Sequence, residues 1–177
     1  MALADADDFL FLMQRYEKQL LAYVRRIIGV SREDAEDVIQ DVFIKVYQNL
    51  NGFDLSLKFS SWIYRITHNQ AISHYRKNKS KKYYLSLEDS EKVFYKLASE
   101  YNLSDEIQRK ITKEKVQKLI LQLEAKYRQV LILKFLEDKD YREISDILKK
   151  PMGTIATLIN RAKAKFKKIL IKNNINF

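Results

Sequence analysis

Tyr141–Lys168, YREISDILKKPMGTIATLINRAKAKFKK, decides how this chain is read. It divides into two short amphipathic helices around a break at Lys149–Gly153, which holds Pro151, the single proline of the sequence. Asp140 stands just before the first helix and Glu143 three residues on, the spacing of a capping box. Ile144, Ile147 and Leu148 share one face of that helix. Thr154 is the expected N-cap of the second. Ile155, Ile159, Ala162, Phe166 and Ile169 repeat along one side of it, which leaves Thr157, Asn160, Arg161, Lys165 and Lys168 pointing elsewhere. In a helix-turn-helix one helix braces across the nucleic-acid backbone while the next sets its first turns into a major groove. A plain helical hairpin with a solvated basic face is the competing reading, and the distribution of charge argues against it.

The 177 residues carry a net charge of +10, and the excess is not spread evenly. Residues 1–80 have a net charge of +1, residues 81–109 of −1 and residues 110–177 of +10. A polyanionic partner for the last third is the simplest electrostatic explanation. An anionic membrane surface fits less well, because the basic helix lacks the large apolar flanks of a membrane-seeking one. Three glycines and one proline leave little material for hairpin turns, and 46% apolar residues supply packed cores. The expected fold class is therefore all-α, with two small helical domains joined by a linker. There are no cysteines, which fits a reducing cytoplasm. MALADADDF lacks the basic segment and apolar core of a signal peptide, and no apolar run approaches a membrane span. The expectation is a soluble, cytoplasmic protein that does not insert into membranes.

Upstream, helical periodicity recurs. Phe9, Leu12, Met13, Tyr16, Leu20, Tyr23, Val24 and Ile27 make one stripe, with Gly29 as the stop. Ser31 caps a second helix whose first turn holds Glu33 and Asp34, acids suited to the positive end of the helix dipole. Ala35, Val38, Val42, Val46 and Leu50 form its stripe, widened by Ile39 and Phe43, and Asn51-Gly52 ends it. Phe53–Phe59 is a loop. Ser60 or Ser61 caps a third helix that buries Trp62, Ile63, Ile66 and Ile72 and ends in Arg76, Lys77, Lys79, Lys81 and Lys82. The periodicity then lapses. The boundaries read from this are a first domain over 1–82, a linker over 83–103 and a second domain over 104–177, opened by Ser104. No catalytic constellation is present. His68 and His74 are the only histidines and do not have the i, i+4 spacing of a metal pair, so both are read as surface or nucleic-acid-facing. Nothing resembles a phosphate-cradling glycine loop. No cofactor, no metal and no enzymatic activity are expected.

Taken together the two lobes resemble the extracytoplasmic-function group of bacterial RNA polymerase sigma factors, over about Tyr16–Leu170. DAEDVIQDVFIKVY (34–47) is similar to the core-binding helix of that family, with Asp37, Gln40, Asp41 and Phe43 at matching positions. FSSWIYRITHNQAISHYRK (59–77) is similar to its segment that opens and reads the start-proximal promoter element, matching at Phe59, Trp62, Arg65, Ile66, Asn69, Ala71 and Tyr75. Tyr141, Glu143, Ile144, Pro151, Gly153, Thr154, Ile155, Arg161 and Ala162 match the domain that binds the upstream element.

The resemblance implies a subunit that binds core RNA polymerase and recognises and opens promoter DNA. Asp37, Gln40, Asp41, Phe43 and Lys45 would bind the polymerase. The loop from Phe53 to Lys58, with Asn69, would hold an unstacked base, because opening a duplex costs a few kcal/mol that a polar and apolar pocket must offset, and Arg65 would also contact the start-proximal element. Arg76, Lys77 and Lys79 would hold phosphates, which position without specifying sequence. In the recognition helix Thr154 would contact DNA, Thr157, Asn160 and Arg161 would remain for readout, and Lys163, Lys165, Lys167 and Lys168 would face the backbone. The partners implied are core polymerase, double-stranded and melted promoter DNA, and an anti-sigma factor or an auxiliary targeting protein. Family members often carry arginine where this chain has Ala156 and Leu158, and a bidentate arginine–guanine pair is worth roughly 1–3 kcal/mol. Upstream readout is therefore expected to be weak or to go through DNA shape. The alternative is a helix-turn-helix regulator with no polymerase role.

Overall fold

In a computed structural model residues 6–77, 86–100 and 113–173 are described. Among them are eight α-helices and no strand, as the scarcity of turn residues predicts. They are α1 (Ala6–Ile28), α2 (Arg32–Asn49), α3 (Phe59–Lys77), α4 (Leu87–Glu100), α5 (Lys113–Leu121), α6 (Ala125–Phe135), α7 (Tyr141–Leu148) and α8 (Met152–Lys172), with a 3-10 turn at Leu50–Gly52 after α2. The chain divides into two compact units, whose main bodies meet in sequence at Tyr84 and Leu85.

The first unit is a bundle in which α1, α2 and α3 each pack on the other two. Gly29 ends α1 at φ +62°, a conformation glycine adopts without steric cost, and its N–H returns to the Arg25 carbonyl at 2.9 Å. Ser31 then accepts the Asp34 N–H at 3.1 Å and starts α2, a cap worth about 1 kcal/mol. Leu20, Val24, Val38, Val42, Val46 and Ile63 fill the core, with the Tyr23 and Tyr64 rings 5.0 Å apart inside it. Two expectations for α3 are corrected. It begins at Phe59, with the Lys58 carbonyl taking the first helical N–H groups, so neither Ser60 nor Ser61 is its cap. Its buried side also runs through Tyr64, Thr67 and Ala71, while Ile66 and Ile72 are only half-buried. Thr67 tolerates burial because its hydroxyl donates to the Ile63 carbonyl at 2.8 Å.

The second unit is built around α6, whose Tyr127, Val130, Leu131, Ile132, Leu133 and Phe135 are buried on nearly every side. α8 packs on α6 and α5, and α4 packs on α5 and α6. Most of the span read as linker is α4, a helix of this unit. Ser86 caps it by accepting the Asp89 N–H at 3.0 Å. Val93, Phe94, Leu97 and Ala98 form a compact buried face, and the Phe94 ring meets Phe166 of α8 at 6.3 Å. That face repeats over only two turns and includes a buried serine, Ser90, which is why hydropathy alone misses it. Ser104 and the other expectations for 101–112 lie outside the described residues.

The capping box of α7 forms as its spacing predicts: Glu143 N–H donates to Asp140 Oδ1 at 2.7 Å, and Asp140 N–H donates to Glu143 Oε2 at 3.0 Å. The break after α7 is made without glycine. Lys149 takes φ +51°, while Lys150 N–H donates to the Ser145 carbonyl at 3.2 Å and Ser145 Oγ to the Lys150 carbonyl at 2.6 Å. α8 starts two residues before the expected cap: the Pro151 carbonyl receives the N–H groups of Thr154 and Ile155, at 2.8 and 3.1 Å. Thr154 is thereby freed from capping and stands exposed in the first turn.

Candidate polymerase and nucleic-acid interfaces

α2 is amphipathic in three sectors rather than two. Val38, Val42 and Val46 point into the bundle. To one side Ile39, Gln40, Phe43, Ile44 and Tyr47 line a groove of about 660 Å³ against Phe9, Met13 and Leu21 of α1, with Glu17 and Glu36 also in its wall. Ile44 is 56% exposed and Tyr47 46%, and Leu10 and Phe11 on α1 are also open to solvent. Apolar area of this kind on a small bundle marks a surface made to be covered. Phe43 belongs to the groove wall as well as to the core, being 5% exposed.

The other side of α2 faces α3. Here Gln70 Nε2 donates to Asp41 Oδ2 at 2.8 Å, and the Lys45 ammonium donates to Gln70 Oε1. Below them lies a cleft of about 320 Å³ walled by Lys45, Asn49, Trp62, Asn69, Gln70 and Ser73. Asn69 is exposed at this cleft, and its amide carries both a donor and an acceptor group. Trp62, 8% exposed, is core as well as cleft wall, and Phe53 and Phe59 stack beside it at 5.1 and 5.5 Å. The loop leading to α3 is ordered by Asp54, whose Oδ1 accepts the Ser56 N–H at 2.9 Å; that bond holds the Asp54 carboxyl below its ordinary range. Phe53 is thus fixed by an aromatic cluster, while Lys58 at the loop's end stays exposed. Arg65 is half-buried, and Arg76 and Lys77 are exposed in the last turn of α3. Lys79 lies outside the described residues.

His68 departs from its reading as a surface residue. Its Nδ1 is 2.9 Å from the hydroxyl of Tyr23, a residue with no exposed surface, and burial pushes its pKa down to about 4. A neutral ring fits this position. Among the described residues no group of histidines and acids could hold a metal ion.

In the second unit α8 buries Ile155, Ile159, Ala162, Phe166 and Leu170. Opposite them Thr154, Thr157, Asn160, Arg161 and Lys168 form an exposed row. The Thr157 hydroxyl donates to the Gly153 carbonyl at 2.8 Å, which leaves its oxygen lone pairs outward. A Cβ on Gly153 would meet nothing within 4 Å, so the fold itself does not require glycine there. The lysines flanking the row are engaged inside the protein. Lys163 pairs with Glu100 of α4. Lys165 pairs with Glu124 at 2.5 Å and lies 4.8 Å from the centre of the Tyr127 ring. Hydrogen bonds from Lys165 and Lys126 hold the Glu124 carboxyl below its usual range. Arg161 and Lys168 have no ion pair among the described residues.

Two stretches of the chain match known protein families. Residues 12–81 match the family Sigma-70 region 2, and residues 113–166 match Sigma-70, region 4. The ECF RNA polymerase sigma factor SigW of Bacillus subtilis (strain 168) is 33% identical over 171 residues, covering 94% of this chain and 90% of the relative. The chain belongs to the extracytoplasmic-function sigma factors. Two solved structures share the fold of this sigma factor. CnrH, solved in complex with the cytosolic domain of CnrY, aligns with a TM-score of 0.66 at 22% identity, covering 96% of this chain and 91% of CnrH. RpoE, solved with the anti-sigma factor NepR from Bartonella quintana, aligns with a TM-score of 0.63 at 18% identity, covering 93% and 98%. The region 2 match spans both the groove and the cleft, and the region 4 match spans α7 and most of α8.

Sequence reasoning missed the groove wall on α1 and the whole of the Gln70 bracket. The groove was partly visible as surplus apolar positions, Leu10, Phe11, Ile44 and Tyr47, beyond what one helical stripe needs. The bracket left no trace in the sequence, because its three members lie up to 29 residues apart.

Proposed function

We propose that this sigma factor, which binds core RNA polymerase and directs promoter-specific initiation, divides that work between opposite flanks of α2. The α1–α2 groove takes the polymerase through Gln40, Phe43, Ile44 and Tyr47, with Asp37, exposed on the same helix, as a further polar contact. The α3 flank, with the Phe53–Lys58 loop, reads and holds open the start-proximal element, and α8 binds the upstream one. The observation that carries this is the pairing of an uncovered apolar groove with a polar cleft on the two flanks of one helix. A reversible protein contact needs apolar area with a polar rim, and an unstacked base needs amide groups over an aromatic floor. Asn69 and Trp62 supply these at the cleft. An anti-sigma partner would silence the factor most directly by covering the same groove. No described helix is long and apolar enough to cross a membrane, and we place the protein's work in the bacterial cytoplasm as a non-enzymatic initiation factor.

Run-off transcription with purified core polymerase tests the proposal. Product is expected only when the chain is present. Ile44→Asp with Tyr47→Asp should abolish it by weakening polymerase binding at least tenfold, because buried apolar contact is replaced by unpaired charge. Asn69→Ala should leave polymerase binding intact and reduce opening of the start-proximal element. Equal losses of both activities in Asn69→Ala would break the assignment of the two flanks.

A further inference from the structure

The Asp41–Gln70–Lys45 bracket assigns Lys45 a different place from the one its motif suggests. Asp41 and Lys45 are one turn apart on α2 and turn away from the groove, toward α3. Their opposite charges fix the orientation of the Gln70 amide. Reversing it would set the NH₂ group against the ammonium and the carbonyl against the carboxylate. The amide in turn holds the ammonium in the wall of the cleft that also contains Asn69. One donor of Lys45 is used by Gln70, and two remain for an incoming acceptor. The side chain is exposed, so it can meet a strand without a large desolvation cost.

We propose that Lys45 is a nucleic-acid contact, binding a phosphodiester of the melted promoter strand as its base enters the cleft, and that Gln70 is the residue that positions it. The proposal rests on reading α3 as the promoter-facing helix. A strand laid along α3 with a base at Asn69 passes the Lys45 ammonium, and the nearest oppositely charged groups on it are its phosphates. Asp41 acts through Gln70: its carboxylate orients the amide and lies beyond it from the cleft.

The test uses the full chain with core polymerase and a forked duplex taken from whichever promoter gives the most run-off product. Lys45→Met should leave polymerase affinity within about twofold, lower the affinity of the holoenzyme for the fork about threefold, and flatten its salt slope by about 0.7, the value for one single-strand phosphate. Lys45→Arg should restore both. Gln70→Leu should lower fork affinity in the same direction, and the effect should vanish when Lys45→Met is already present, which a merely structural role for Gln70 would not produce. If Lys45→Met instead weakens polymerase binding and leaves the fork slope unchanged, Lys45 belongs to the polymerase face and the inference is wrong. If the unaltered chain yields no run-off product with core polymerase, the assigned function itself fails, and the inference with it.

Discussion

His68 shows how one burial event turns a readable side chain into a pH-dependent one. In the unfolded chain its pKa is near 6.5, and in the fold it is about 4. Between those values the unfolded chain takes up a proton that the bundle refuses. The contribution of His68 to stability is therefore constant above about pH 6.5 and is lost as pH falls toward 4, by up to about 3 kcal/mol. Urea unfolding of the wild type and of His68→Gln, which keeps an acceptor for the Tyr23 hydroxyl, should differ in slope against pH over that range. Parallel curves would mean that His68 is not shielded. In sequence this histidine looked like a neighbour of Asn69 on an exposed face. What changed its standing was the orientation of α3, which turns Thr67 and Ala71 inward and brings His68 to Tyr23, 45 residues away.

α8 was legible as a recognition helix, because its apolar repeat and its polar row fall on opposite sides. Which of its lysines are available was not. Lys163 and Lys165 flank the row and pair with Glu100 and Glu124, acids contributed by α4 and by the residue just before α6. Phosphate binding by either must first break an internal pair, whereas Lys168 has none to break among the described residues. In duplex binding by the holoenzyme, Lys168→Ala should therefore flatten the salt slope by about 0.9, and Lys165→Ala by less than half of that. Equal changes would show that the Glu124 pair does not hold in solution. α4 itself was hidden for a related reason: its short buried face only makes sense beside Phe166 of α8.

The assembled chain carries a net charge of +3 on its first unit and +7 on its second, the latter gathered in residues 150–177. Linking two readers makes the second binding event intramolecular, with an effective concentration set by the connection. On the proposed division of work, long-range attraction from the basic unit brings DNA close, and the first unit commits the complex by opening it. Because both promoter elements must be met at once, their separation matters. Inserting about five base pairs turns one element halfway round the duplex and should cut run-off transcription about tenfold while leaving polymerase binding unchanged. Transcription indifferent to that insertion would show that the two elements are read independently.

The sequence alone determined the helical class, the two-lobed order, the caps at Ser31 and Asp140, the helix-turn-helix and the family, since each is written in local periodicity or in motifs a few residues long. The tertiary structure decided that Gln40 lines one flank of α2 while Asp41 and Lys45 face the other, that His68 is half-buried against Tyr23, that α4 belongs to the second unit and that Lys163 and Lys165 are already paired. Those facts depend on the rotation of one helix against another. Residues dozens of positions apart set that rotation, through packing that no local pattern records.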